Sequence, residues 1–73
     1  MEQIKEIKIT TEYITLGQFL KFISLIESGA KAKNFLIENK VLVNNEETTQ
    51  RGKKLYEGYK ISVNNLEFFE IVK

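Results

Sequence analysis

Apolar residues recur along this chain first at strand-like spacing, then at helix-like spacing, then again at strand-like spacing. Ile4, Ile7 and Ile9 alternate in part with Lys5, Glu6 and Lys8, which predicts a short strand leading into Thr10-Thr11. Thr15-Leu16-Gly17-Gln18 has the form of a capping box, Thr15 as N-cap and Gln18 facing back to it, with Ile14 and Phe19 placed to staple the helix entry. Leu16, Phe19, Leu20, Ile23 and Glu27 fall on one helical stripe that Phe22 and Ile26 widen, so the expected helix buries a broad face. Ser28-Gly29 breaks the pattern: Gly29 can take a positive φ to end the first helix, and Ser28 or Gly29 can begin a second with almost no connection between them. In that second helix Ala32, Phe35 and Leu36 make the core stripe. Lys31, Asn34 and Glu38 lie together off it, Lys33 and Ile37 occupy the other flank, and Asn39-Lys40 closes the helix with a cation at its negative end.

Beyond the helices the period returns to two. Val41-Leu42-Val43 and Glu46-Glu47-Thr48 flank Asn44-Asn45, and Lys60-Ile61-Ser62-Val63 and the run from Leu66 to Val72 flank Asn64-Asn65. Each reads as a hairpin with a two-residue turn, because Asn tolerates the left-handed region that such turns need. The stretch between the hairpins, Gln50-Arg51-Gly52-Lys53-Lys54-Leu55-Tyr56-Glu57-Gly58-Tyr59, reads as a turn-rich connection. The expected fold class is a small α+β domain, two packed short helices against a mainly antiparallel sheet. Gly17, inside the first helical turn, either permits close approach of another backbone or is a tolerated glycine without further role.

Composition narrows the chemistry. The chain of 73 residues, 42% hydrophobic, is the size of one small domain that must rely on its own core, since there is no Cys to add a disulfide or a thiolate metal site. It also lacks His, Asp, Trp and Pro. Without His or Cys there is no ordinary zinc site and no Ser-His or Cys-His nucleophile pair, and the ten glutamates form no recognisable acid–base constellation. No catalytic residue, cofactor or metal is therefore expected. The amino-terminal residues are charged from Glu2 onward and no apolar run approaches a signal or membrane-spanning length, so a cytoplasmic protein is expected.

The net charge of +1 conceals an uneven distribution. Residues 31–60 carry seven basic groups (Lys31, Lys33, Lys40, Arg51, Lys53, Lys54 and Lys60) against four glutamates, while the remainder of the chain is net −2. A polarised molecule with one basic face, able to steer a polyanion, follows from that pattern. Lys31 and Lys33 are placed at the start of a helix, where exposed N–H groups and the macrodipole are already positive, a conflict that a docked phosphate would remove. Two solvated surface lysines, whose penalty is only a few tenths of a kcal/mol or so, would give the same pattern. In the connection, Arg51, Lys53 and Lys54 surround Gly52; Arg forks onto phosphate oxygens, Lys acts as a mobile point charge, and a glycine lets backbone approach an anion. Tyr56 and Tyr59 could stack on a base or pack half-buried beside Leu55 and Ile61.

In this order the pieces resemble the S4-like RNA-binding domain, or alpha-L motif, over residues 15–63, roughly two thirds of the chain. That family runs a leucine-rich first helix, a Ser-containing break, a basic second helix, Val-x-Val-Asn-Gly, and a late Gly-Asp before the closing strand. Here the counterparts are Leu16 to Leu20, Ser28, Lys31 to Leu36, Val41-Leu42-Val43-Asn44-Asn45, and Gly58-Tyr59. The chain is most similar to short stand-alone bacterial YaaA-type members, whose Ser-Gly-Gly-x-Ala-Lys and Arg-Arg-Gly-x-Lys-Leu segments are matched by Ser28 to Lys33 and by Gln50 to Leu55.

The resemblance implies one S4-like domain over residues 1–73, a basic second helix and basic loop forming one RNA-binding surface, and roles in it for Lys31, Lys33, Asn34, Arg51, Lys53 and Lys54. The implied partner is structured RNA, ribosomal RNA or an assembling ribosomal subunit, with no membrane and no small-molecule substrate. Asn45 for the turn glycine, Tyr59 for the aspartate, Gln50 for one arginine, and lysines for second-helix arginines are departures; the last two dilute the charge and imply weaker or more context-dependent binding. The alternative from another class is a protein-binding adaptor using the basic face, the sheet edge and exposed Ile37 and Leu25. A ubiquitin-like carrier lacks its Gly-Gly end here, and a helix-turn-helix DNA reader lacks polar base-reading side chains on the second helix.

Overall fold

The computed structural model describes residues 3–73. Strand β1 (Ile4–Lys8) is followed by β2 (Tyr13–Thr15), helix α1 (Leu16–Phe22), a 3-10 turn (Gly29–Lys31), helix α2 (Ala32–Glu38), and strands β3 (Val41–Val43), β4 (Glu46–Glu47), β5 (Lys54–Tyr56), β6 (Lys60–Val63) and β7 (Glu67–Val72). Five strands form a sheet in the order β1-β7-β6-β3-β4, and β2 and β5 form a separate two-stranded ribbon. Every pairing is antiparallel except β1 with β7, which is parallel.

Both helices lie on one face of the sheet. Alternation buries Val41, Val43, Ile61, Val63, Phe69 and Ile71 on that face, against Leu16, Phe19 and Leu20 of α1 and Ala32 and Leu36 of α2. Phe19 meets Phe69 edge to face at 5.2 Å, joining α1 to the middle of the sheet. Burying a side chain of this size contributes about 1.5–3 kcal/mol, and Leu16, Phe19 and Leu20 are all fully buried. Ile7 and Ile9 of the predicted amino-terminal strand also join the core. Ile4 does not: it stands an odd number of residues from Ile7, so the pleat turns it to the opposite face beside Phe68, and it is exposed.

Helix α1 begins as its sequence predicts. The Gln18 N–H donates to Thr15 Oγ1 at 3.2 Å and the Thr15 N–H donates to Gln18 Oε1 at 2.9 Å, the reciprocal capping box. Its end is earlier than the apolar stripe predicts. Ser24 adopts a left-handed φ of 65°, its N–H donates to Lys21 O, and the Leu25 N–H donates to Leu20 O at 3.0 Å. These two bonds close the helix as a Schellman motif with serine in the usual glycine place. The chain reverses there, so Phe22, which a longer helix would bury beside Ile26, is 64% exposed while Ile26 is buried. Gly29 is not the terminator; it opens the 3-10 turn, and residues 23–28 separate the helices that the sequence places almost end to end.

Asn44 and Asn45 have φ of 52° and 70°, and the Val43–Glu46 pair closes a two-residue hairpin as predicted. The second hairpin is one residue looser: Val63 pairs with Glu67, so Leu66 joins Asn64 and Asn65 in the loop and is exposed rather than part of the strand. In both turns the first asparagine also clasps a neighbouring strand. The Lys60 N–H donates to Asn44 Oδ1 at 2.9 Å while the Asn44 N–H donates to Lys60 O at 2.7 Å. At the other end of the β3–β6 pair, the Lys40 N–H donates to Asn64 Oδ1 at 2.8 Å and the Asn64 N–H donates to Lys40 O at 2.7 Å. Asn64 Nδ2 further donates to Asn39 Oδ1, and Asn39 Nδ2 to Phe35 O, tying the end of α2 to the hairpin.

Candidate nucleic-acid interface

The basic loop is anchored by its backbone to the start of α1. A helix opens with N–H groups that have no partner within it; here the Leu16 N–H donates to Lys53 O and the Gly17 N–H to Arg51 O, both at 2.8 Å. With Gln18 bonded to Thr15, the first turn of α1 is committed to protein acceptors. Turning the carbonyls of Arg51 and Lys53 inward leaves their side chains in solvent, and the Lys53 N–H to Gln50 O bond of 3.1 Å closes the loop into a turn. A Cβ added at Gly52 would meet nothing within 4 Å, so the outer side of the loop is open.

Gly17 is where the two basic segments meet. A Cβ at this position would lie 3.4 Å from Arg51 O, 3.5 Å from Arg51 Cβ and 3.6 Å from Ala32 Cβ. The loop backbone and the first residue of α2 close over the helix here from two sides, at distances that leave room for a methyl in ordinary contact but not for a larger side chain, so the position needs a small residue rather than glycine itself. Lys31 and Lys33 flank Ala32 in sequence, so the lysines at the α2 entrance and the residues 50–53 loop share one region of the surface.

Within that region the sequence-derived residues are not equivalent. Lys31 belongs to the 3-10 turn and caps α2 without a side-chain bond, and its ammonium pairs with Glu27 at 3.3 Å. Lys31 and Asn34 line a shallow depression together with Glu27 and Glu38, where carboxylates offset the cation. Lys33 is exposed on the first turn of α2. Arg51 and Lys53 are exposed beside the Gly17 junction. Lys54 belongs to a different element: it starts β5, and its Nζ sits 5.0 Å above the ring of Tyr13.

The ribbon that carries Lys54 is an element the period-two pattern does not predict. Tyr13 pairs with Tyr56 and Thr15 with Lys54, with the fully buried Leu55 pinning β5 to the core from its opposite face. Tyr13 and Tyr56 rings lie 5.6 Å apart, and Tyr56 and Tyr59 rings 5.7 Å apart. Tyr13 is the residue that sequence reasoning passes over, because its partner lies some forty positions away. Gly58 has a φ of 89°, the conformation that requires glycine at this turn. Of the apolar contacts in the adaptor alternative, Ile37 is 66% exposed but Leu25 is half-buried against the core. Among the described residues no cluster of His, Cys, Asp or Glu could hold a metal ion, and no helix is long and apolar enough to cross a membrane.

The sequence has counterparts among known proteins. The chain is 50% identical over 66 residues to a Bacillus subtilis (strain 168) protein named "Probable ribosome maturation protein RlbA", a match that spans 90% of this chain and 93% of that protein. The relative is thus also a short chain built on little more than this unit. The family model of the S4 domain matches residues 7–72, which takes in the end of β1, the ribbon, both helices and the other four strands of the sheet, and the chain belongs to the S4 domain family.

Proposed function

We propose that this chain is a non-catalytic, cytoplasmic RNA-binding protein that recognises structured RNA, ribosomal RNA or an assembling ribosomal subunit, with residues 1–73 acting as one domain. The alpha-L region of helices and loop supplies the contact surface: Arg51, Lys53 and Lys33 bind phosphates, Asn34 donates hydrogen bonds, Lys31 joins them once freed from Glu27, and Lys54 contributes from the ribbon. The observation that carries this reading is the anchoring of the Arg51 and Lys53 carbonyls on the α1 N-terminus. It fixes a cationic loop with its side chains outward beside the α2 entrance at Gly17. Prepaid ordering of that loop lowers the entropy lost on binding. The ribosome maturation name of the Bacillus subtilis relative supports a ribosomal partner.

Binding through phosphates gives a defined salt response. For about six contacts the slope of log K against log salt is near −4 to −5. Fluorescence anisotropy with ribosomal RNA fragments over a salt series measures it. The double variant Arg51→Glu/Lys53→Glu should weaken binding and flatten the slope by about two, whereas Lys5→Glu, on edge strand β1 and paired there with Glu67, should leave the slope close to that of the wild type. A slope near zero, or equal losses in both variants, contradicts the assignment.

A further inference from the structure

We infer that the tyrosine face of the β2–β5 ribbon stacks an unpaired base of the RNA, next to the phosphate-contacting loop. This inference rests on the RNA-binding reading above and specifies what the RNA must contain. Its first support is the aromatic platform. Tyr13, Tyr56 and Tyr59 form a contiguous run of rings, at 5.6 Å and 5.7 Å between centroids, that rises from the core to the surface. Tyr59 packs against the core and is held by the Tyr59 N–H to Tyr56 O bond and the Ile71 N–H to Tyr59 O bond. Tyr13, at the outer end, is 36% exposed.

The second support is the cation. Lys54 Nζ already lies 5.0 Å over the Tyr13 ring, the attraction of a cation for an aromatic face. A nucleobase stacked on that face keeps the aromatic contact, and the displaced ammonium becomes free to meet the phosphate of the same nucleotide. A third support is continuity. Arg51 lies three residues from Lys54, at most ~10 Å of extended chain, so one RNA strand reaches both the loop and the ring. A base inside a duplex cannot offer its face to a side chain. The partner is therefore structured RNA with an unpaired nucleotide, in a loop, a bulge or at a strand end, adjoining the paired segment.

The test compares two RNA hairpins, one fully paired and one with a single bulged 2-aminopurine, against the wild type, Tyr13→Leu, Tyr13→Phe and Arg51→Glu/Lys53→Glu. Thermal melts first establish that each variant folds, and Tyr13→Ile, a better strand former, replaces Tyr13→Leu if the latter melts early. The wild type should bind the bulged hairpin tighter by about 5- to 150-fold and change the 2-aminopurine fluorescence on binding. Tyr13→Phe should retain both effects. Tyr13→Leu should lose the preference and the fluorescence change while keeping its affinity for the paired hairpin. Equal binding of the two hairpins by the wild type, or a full preference in Tyr13→Leu, overturns the stacking inference and leaves the phosphate-binding reading standing. Failure of the wild type to bind either hairpin overturns both.

Discussion

Asn44 holds a positive φ and bonds across to the strand beside it, and the two contributions separate by substitution. Asn44→Gly keeps the conformation and removes the side-chain acceptor of the Lys60 N–H, so it should cost about 1 kcal/mol. Asn44→Ala removes the same acceptor and keeps a Cβ in the left-handed region without the polar side chain that eases asparagine there, so it should cost about 2–3 kcal/mol in all, measured by urea unfolding. Asn45→Gly removes the conformational cost at φ 70° and touches no side-chain bond, so it should raise stability by about 0.5–1 kcal/mol. Gly17 gives the opposite lesson, because its constraint is space and not φ. Alanine there makes ordinary contact with Arg51 O at 3.4 Å and should be neutral or stabilise by up to ~1 kcal/mol through helix propensity. Valine, with two further carbons wedged between Arg51 and Ala32, should cost about 1–3 kcal/mol and loosen the loop.

At the scale of elements, the ends of α1 decide where everything else sits. Its closure at Ser24 costs about 1 kcal/mol relative to a residue at ease in the left-handed region. Ser24→Gly should therefore raise the melting temperature, and Ser24→Val should lower it. What the sequence makes legible follows from how local each signal is. The capping box at Thr15 and Gln18, the α2 stripe of Ala32 and Leu36, and the Asn44-Asn45 turn are each encoded within a few neighbouring residues, and all are present. The end of α1 is hidden because the apolar run continues past Ser24 to Ile26, and a serine can occupy the place where glycine is the signal. The ribbon is hidden for another reason: β2 and β5 are three residues each, and their pairing joins positions about forty apart. The cations of the candidate site are legible from charge alone. Their proximity, which depends on backbone bonds from Leu16 and Gly17 to the loop, and the place of Tyr13 beside Lys54 are not.

For the whole molecule, uneven charge matters more than its sum. The basic loop, the α2 entrance and the ribbon sit at the α1 end of the fold, whereas β4 presents Glu46 and Glu47 at one edge of the sheet. Glu27 lies inside the basic region and holds Lys31 at 3.3 Å. An exposed pair of this kind contributes little to stability, so Glu27→Gln should leave the melting temperature unchanged and tighten RNA binding about two- to fivefold, roughly the gain of one further phosphate contact at moderate salt. Anisotropy titration beside a thermal melt checks both halves of that expectation.

Co-sedimentation with ribosomal particles from a native lysate decides whether two basic segments distant in sequence act as one RNA surface. The comparison is wild type against Lys31→Glu/Lys33→Glu and Arg51→Glu/Lys53→Glu, each shown to be folded, with and without RNase. The wild type should travel with a subunit or its precursor, RNase should release it, and both variants should stay at the top of the gradient. A wild type that never leaves the top, or an association that survives RNase and both charge reversals, contradicts a shared RNA surface.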